Sequence, residues 1–164
     1  MKEILTKLSS YNIFNYLFPG VIYSVIVTKV TKYNLIIDNV FIAFFVYYFI
    51  GLIISRIGSL VIEPLLKKTP LIMFSNYKDY VIASKEDNKI DILSEINNMY
   101  RTMISLTFSL MITIAFDVLL DGYIGRFKYC LYYVGLILLM LLFIFSYKKQ
   151  TDYIRRRVKA IIKK

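Results

Sequence analysis

Residues Arg101–Asp121 read RTMISLTFSLMITIAFDVLLD, apolar enough to enter a bilayer yet carrying polar side chains in register. At 100° per residue, Thr102, Ser105, Ser109, Thr113 and Asp117 share about a third of the helix circumference, and Asp121 lies just beyond. The 19 residues Thr102–Leu120 make roughly 28 Å of helix, the thickness of a hydrocarbon core. A carboxylate at that depth is costly, so Asp117 is expected to face a protein interior or a wet cavity and not lipid. The hydroxyls have two readings: small packing residues that let helices approach closely, or the lining of an ion path.

The rest of the chain has the same character. Of 164 residues 58% are hydrophobic, and the mean hydropathy of +0.59 lies well above that of a soluble domain. Three further spans follow: about 13–28, interrupted by Pro19-Gly20; 40–60, uncharged from Val40 to Ile54; and 129–147, uncharged throughout. The expected fold is an all-α membrane protein of four crossings. No small-residue cleavage site follows the first apolar run, so that run is read as a retained helix. Residues 1–10, with Lys2 and Lys7 opposite Ile4, Leu5 and Leu8, read as a surface-lying amphipathic start.

Between spans two and three the polar interval is expected to be helical. Ser75 is a candidate cap for a helix over 76–84, and Asp87 or Asn88 for one that runs unbroken into the third crossing. Asp38 is a candidate cap for span two, and Glu63 a candidate i, i+4 partner of Lys67. The tail 148–164 has eight basic residues and one acid, with an apolar edge at Tyr153, Ile154, Val158, Ile161 and Ile162 that suits an anionic leaflet.

The net charge of +10 is explained by where it sits. Four crossings place seventeen of the 21 Lys and Arg on one side, the side of both termini, and four on the other. That asymmetry predicts cytoplasmic termini in a cell (inner) membrane and argues against binding of bulk nucleic acid. The chain has no His and one Cys, Cys130, so a zinc site or an intrachain disulfide cannot be assembled. No nucleophile–base pair, G-x-S-x-G motif or phosphate loop is found, and neither catalysis nor a cofactor is expected.

Candidate functional residues fall into two groups. Ser105, Ser109, Thr113, Asp117 and Asp121 are candidate pore-lining residues, since rings of carboxylates in a symmetric oligomer attract cations. The competing account has Asp121 ending its helix before Gly122 and Asp117 paired with Arg126 or Lys128. Lys78, Lys85, Lys89 and Arg101 are candidates for a phosphate-bearing ligand; alternatively they form a solvated face balanced by Asp79, Glu86, Asp87 and Asp91.

The segments FNYLFPG at Phe14–Gly20, ISRIGSLVIEPLLKK at Ile54–Lys68 and YKDYVIASKEDNKIDILSEINNMYRTMIS at Tyr77–Ser105 resemble small four-helix membrane proteins of bacterial phage-defence loci. Notable among the proteins they resemble are the membrane effectors paired with nucleotidyltransferases in Hailong-type systems. The resemblance implies a homo-oligomeric channel, a tetramer by default, switched by a nucleotide or oligonucleotide signal and depolarising the infected cell. It transfers no individual residue. The competing class is a non-conducting anchor whose polar region docks a soluble partner.

Overall fold

A computed structural model describes residues 10–121 and 126–163 as an all-α protein. The amphipathic start at residues 1–9 and the turn at 122–125 lie outside them. Helix α1 covers residues 10–30, α2 Val40–Lys67, α3 Tyr77–Glu86, α4 Lys89–Asp121 and α5 Arg126–Ile162. All but α3 are long and apolar enough to cross a membrane.

The two prolines within helices, Pro19 and Pro64, are accommodated in the same way. Proline has no N–H and crowds the carbonyl four residues back. Before Pro19 and before Pro64 the helix widens by one residue: Phe18 N–H donates to Ile13 O, and Glu63 N–H to Gly58 O. These π turns let α1 and α2 continue, so neither proline ends its helix.

The α1–α2 pair is antiparallel and held at backbone contact. A Cβ built on Gly20 would lie 1.8 Å from Tyr47 O, and one on Gly51 1.6 Å from Tyr16 O. Glycine at both crossing points lets the chains touch, as small residues do between membrane helices. The α1–α2 connection then folds back over that end: Leu35 N–H donates to Thr28 Oγ1 and Ile37 N–H to the Tyr47 hydroxyl. Asn39, not Asp38, caps α2, its Oδ1 accepting from Phe41 and Ile42 N–H.

Helix α4 is central and packs against all four others. In the membrane it meets α1 and α2 through Leu106 and Leu110, which bury with Val27 and Ile54. Its length, 33 residues or about 50 Å, carries it out of the apolar layer, as the expected junction of interval and third crossing requires. Asp87 Oδ1 accepts from Lys89 N–H at its start. Helix α3 begins one residue later than expected, with Asn76 as the cap, its side chain accepting from Lys78 N–H.

The tail departs from expectation. It continues α5 without a break, and Ile154 and Val158 bury against Ala83 and Ile90, with Ile161 beside them. Of the apolar edge expected to rest on lipid, Ile154, Val158 and Ile161 are covered by α3 and α4, because a continuous helix brings those positions opposite an apolar face of matching spacing, while Tyr153 and Ile162 stay exposed. Arg157 fastens the corner through an ion pair with Asp87. That hydrogen bond holds the Asp87 carboxyl below its ordinary pKa. A depressed carboxyl contributes stability above its unfolded pKa and loses it as pH falls through the folded value. A spin-label distance from α3 to the end of α5 is therefore expected to stay constant from neutral pH to about 4, the ordinary Asp value. It should lengthen only below that; the same lengthening at pH 7 is expected for Asp87→Asn.

Candidate functional site

The hydroxyl stripe of α4 is enclosed by the chain's own helices. Thr102 and Ser105 are fully buried and Asp117 nearly so, at 2% exposure. Thr102 Oγ1 donates within a node formed by Asn15 Oδ1 at 2.6 Å and Ser55 Oγ at 3.2 Å, with Asn98 O at 3.0 Å. Asn15 Nδ2 in turn reaches Ser55 Oγ at 3.3 Å and the Tyr11 hydroxyl at 3.2 Å. Ser105 donates to Ile54 O at 2.6 Å, Thr113 shares a 2.7 Å hydrogen bond with Tyr23, and Lys32 N–H reaches Asp117 Oδ1 at 3.5 Å.

In this packing four of the five candidate pore-lining residues, Ser105, Ser109, Thr113 and Asp117, face α1, α2 or their connection. The side chains of Asp121, Arg126 and Lys128 lie outside the described residues, so neither the carboxylate pair nor the Arg126 or Lys128 contact of Asp117 falls within them. Ser109 is the exception to hydrogen bonding. Its Oγ is buried without a partner beside a small apolar crevice shared with Tyr23, Ile50, Ile53, Ile54 and Ile57. Ser109→Ala removes nothing that is bonded and is expected to change thermal stability in detergent by less than about 0.5 kcal/mol. A clear loss would show that the hydroxyl has a hydrogen-bond partner.

One residue before Thr102 the chemistry changes from neutral to charged. A cavity of about 410 Å³ opens between the end of α2, the α2–α3 connection and helices α3, α4 and α5. Glu63 lies at its centre: Oε1 pairs with Lys67 Nζ at 2.6 Å, the expected i, i+4 contact, and Oε2 with the Arg101 guanidinium. Gly58 lies opposite this arrangement, where a Cβ would stand at ordinary contact distance, 3.4 Å from Arg101 O and from Ser105 Cβ. Lys67 Nζ also lies 4.6 Å from the Phe74 ring centroid, a cation–π contact across the cavity mouth.

Much of the remaining polar wall is internally satisfied. Tyr80 and Ser94 share a 2.9 Å hydrogen bond, Thr151 Oγ1 lies 3.2 Å from Asn97 Oδ1, and Gln150 Nε2 donates to Leu93 O nearby. Two buried atoms on the wall have no protein partner, Arg101 Nε and Ser75 Oγ. Ser75, expected as a helix cap, thus belongs to the cavity.

Of the four candidate ligand residues, Arg101 alone lines this cavity; Lys78, Lys85 and Lys89 are exposed elsewhere on α3 and the start of α4. Their exposure follows from helix positions that place Ala83 and Ile90 inward. Lys67 and Ser75 join Arg101 through tertiary packing. The i, i+4 spacing reveals the Lys67–Glu63 pair but not the cavity around it. Among the described residues no three His, Cys, Asp or Glu side chains come together in a metal-holding group. Comparison of the chain with protein-family models, curated proteins and solved structures finds no match.

Proposed function

We propose that this multi-pass membrane protein is a ligand-responsive effector of a bacterial cell membrane. The charged cavity receives the signal on the cytoplasmic side, and rearrangement of α4 in a homo-oligomer lets ions cross. The observation that carries this reading is the adjacency of Arg101 and Thr102 on one uninterrupted helix. Arg101 belongs to the cavity's ion cluster and Thr102 to the intramembrane hydrogen-bond node. Any ligand that draws Arg101 from Glu63 pulls on that node directly.

The magnitudes permit such a switch. Beside the Glu63–Arg101 pair, the hydrogen bonds that join α4 to α1, α2 or their connection among the described residues include Thr102–Asn15, Thr102–Ser55, Ser105–Ile54, Thr113–Tyr23 and Asp117–Lys32. Interhelical hydrogen bonds in membranes average roughly 0.6 kcal/mol each. The polar part of the seam thus opposes opening by a few kcal/mol, on the scale of ligand-driven coupling energies. Four crossings enclose no broad pore alone, so conduction requires several copies. The Hailong-type resemblance suggests the setting, antiphage defence by depolarisation with a partner nucleotidyltransferase supplying a nucleotide signal.

Reconstituted protein in planar bilayers is expected to give unitary currents when the cavity is engaged, with cation preference reduced in Asp117→Asn. The closure of the hydroxyl stripe favours a second reading, a non-conducting anchor in which these contacts only pack helices. An intact oligomer that stays electrically silent with inorganic phosphate, mononucleotides and short oligonucleotides would establish the anchor and remove the channel.

A further inference from the structure

The cavity carries a specific chemical demand. Among its lining residues are two cations, Arg101 and Lys67, and one carboxylate, Glu63, whose two oxygens are each engaged by one of those cations. The side-chain complement is thus one positive charge in excess. The Tyr147 hydroxyl on the same wall interacts with the Arg101 guanidinium, but Arg101 Nε–H, which can only donate, is buried without a hydrogen-bonded acceptor, and Ser75 Oγ there is buried without a partner. Leaving such donors unmet is costly, most of all on a charged group. An occupant that answers all three features is an anion with several acceptor oxygens.

We infer that the cavity binds a phosphate ester, held by Arg101 Nε, Ser75 Oγ and Lys67 Nζ. Guanidinium and ammonium groups together with a hydroxyl donor are the usual complement of a phosphate oxygen set. The location points to a phospholipid headgroup as its source. Arg101 immediately precedes the apolar run of α4 and Tyr147 closes that of α5, and both line the cavity, which places it at the membrane boundary. On the neighbouring α2–α3 connection Leu71, Met73 and Phe74 are exposed, an apolar lip suited to the glycerol and first acyl carbons of a lipid and of no use to a soluble phosphate. A soluble phosphate ester satisfies the same donors and is the other source to be tested. The phosphate site stands on the chemistry of the cavity itself; only a soluble source would make it the receiving end in the proposal above, and the test reads binding alone, independent of conduction.

The full chain, delipidated in a maltoside detergent that has no phosphate, is titrated with short-chain phosphatidylglycerol, with the matching diacylglycerol and with inorganic phosphate while thermal unfolding is followed. Phosphatidylglycerol is expected to raise the midpoint saturably and diacylglycerol not to. Half-saturation should weaken about tenfold in Arg101→Lys, which keeps the charge and a partner for Glu63 but loses Nε. In Ser75→Ala, which loses one neutral hydrogen bond, it should weaken about fivefold. A response to phosphatidylglycerol without one to inorganic phosphate assigns the lipid source; an equal response to both, weakened alike in the two variants, assigns a soluble phosphate. The inference is overturned by a diacylglycerol response equal to that of phosphatidylglycerol, by responses unchanged in both variants, which would place the anion on the basic end of α5, or by no response at all. Binding without bilayer currents would leave this site standing and remove the channel, whereas currents from a protein whose unfolding midpoint responds to neither phosphatidylglycerol nor phosphate would remove the site and leave the channel.

Discussion

Gly51→Leu is expected to separate the first two transmembrane helices and to destabilise the protein by at least about 3 kcal/mol, the upper range of overpacking costs. A Cβ at this position would sit 1.6 Å from Tyr16 O and 2.5 Å from Tyr16 C. Those atoms are backbone, so no rotamer change relieves the overlap and the helices themselves must move. The displacement carries Asn15, next to Tyr16, away from Ser55 and Thr102, so the polar node is lost with the crossing. Thermal unfolding in detergent measures the first effect, and disulfide trapping of cysteines placed across the α1–α2 contact the second. Gly135→Leu is the control: a Cβ there meets nothing within 4 Å, and its stability should stay close to that of the parent. Equal tolerance at both positions would mean that the backbone contact does not set the spacing of α1 and α2.

Glu63→Ala is the second large effect, expected to cost about 2 kcal/mol, between the value of a surface pair and that of a fully buried one. The carboxylate joins the end of α2 to α4 through Arg101, and both side chains are more than four-fifths enclosed, at 18% and 14% exposure. Removing it leaves the guanidinium buried beside Lys67 with the repulsion between the two cations uncompensated. The replacement should loosen the cavity end of α2, read as faster amide exchange over residues 58–67, while the α1–α2 crossing near Gly51 stays protected. If the ligand reading holds, the same substitution strengthens the response to phosphate, because Arg101 no longer has a competing acceptor. Unchanged stability in Glu63→Ala would show that Arg101 and Lys67 find other partners and that the cluster does not hold α2 against α4.

The crossings were legible in the chain because transfer of a residue into lipid is largely a local property, summed along about twenty positions whatever their neighbours. The 33-residue α4 was legible on similar grounds, since nothing between Asp87 and Asp121 interrupts a helix and Asp87 supplies its start. The Glu63–Lys67 contact follows from helix spacing alone. Boundaries set by competing caps were less so: Asn39 and Asn76 took the places expected of Asp38 and Ser75. Side chains that differ by one position in sequence offer similar acceptors, and the backbone turn selects between them.

Periodicity along α4 identified one polar face, but a face has no partner until other helices are placed against it. Two glycines at the α1–α2 crossing, 31 residues apart in sequence, bring Asn15 and Ser55 together opposite Thr102, and that turns the stripe into a closed seam. The cavity depends even more on packing, for its lining comes from four helices and the α2–α3 connection, with Glu63 and Arg101 38 positions apart. The amino-acid order by itself determined that this chain enters a membrane four times and how its helices run, because hydrophobic transfer and helix spacing act within a few turns. Only the tertiary structure decided what the polar residues face, because burial and ion pairing depend on which distant segments come within a few ångströms.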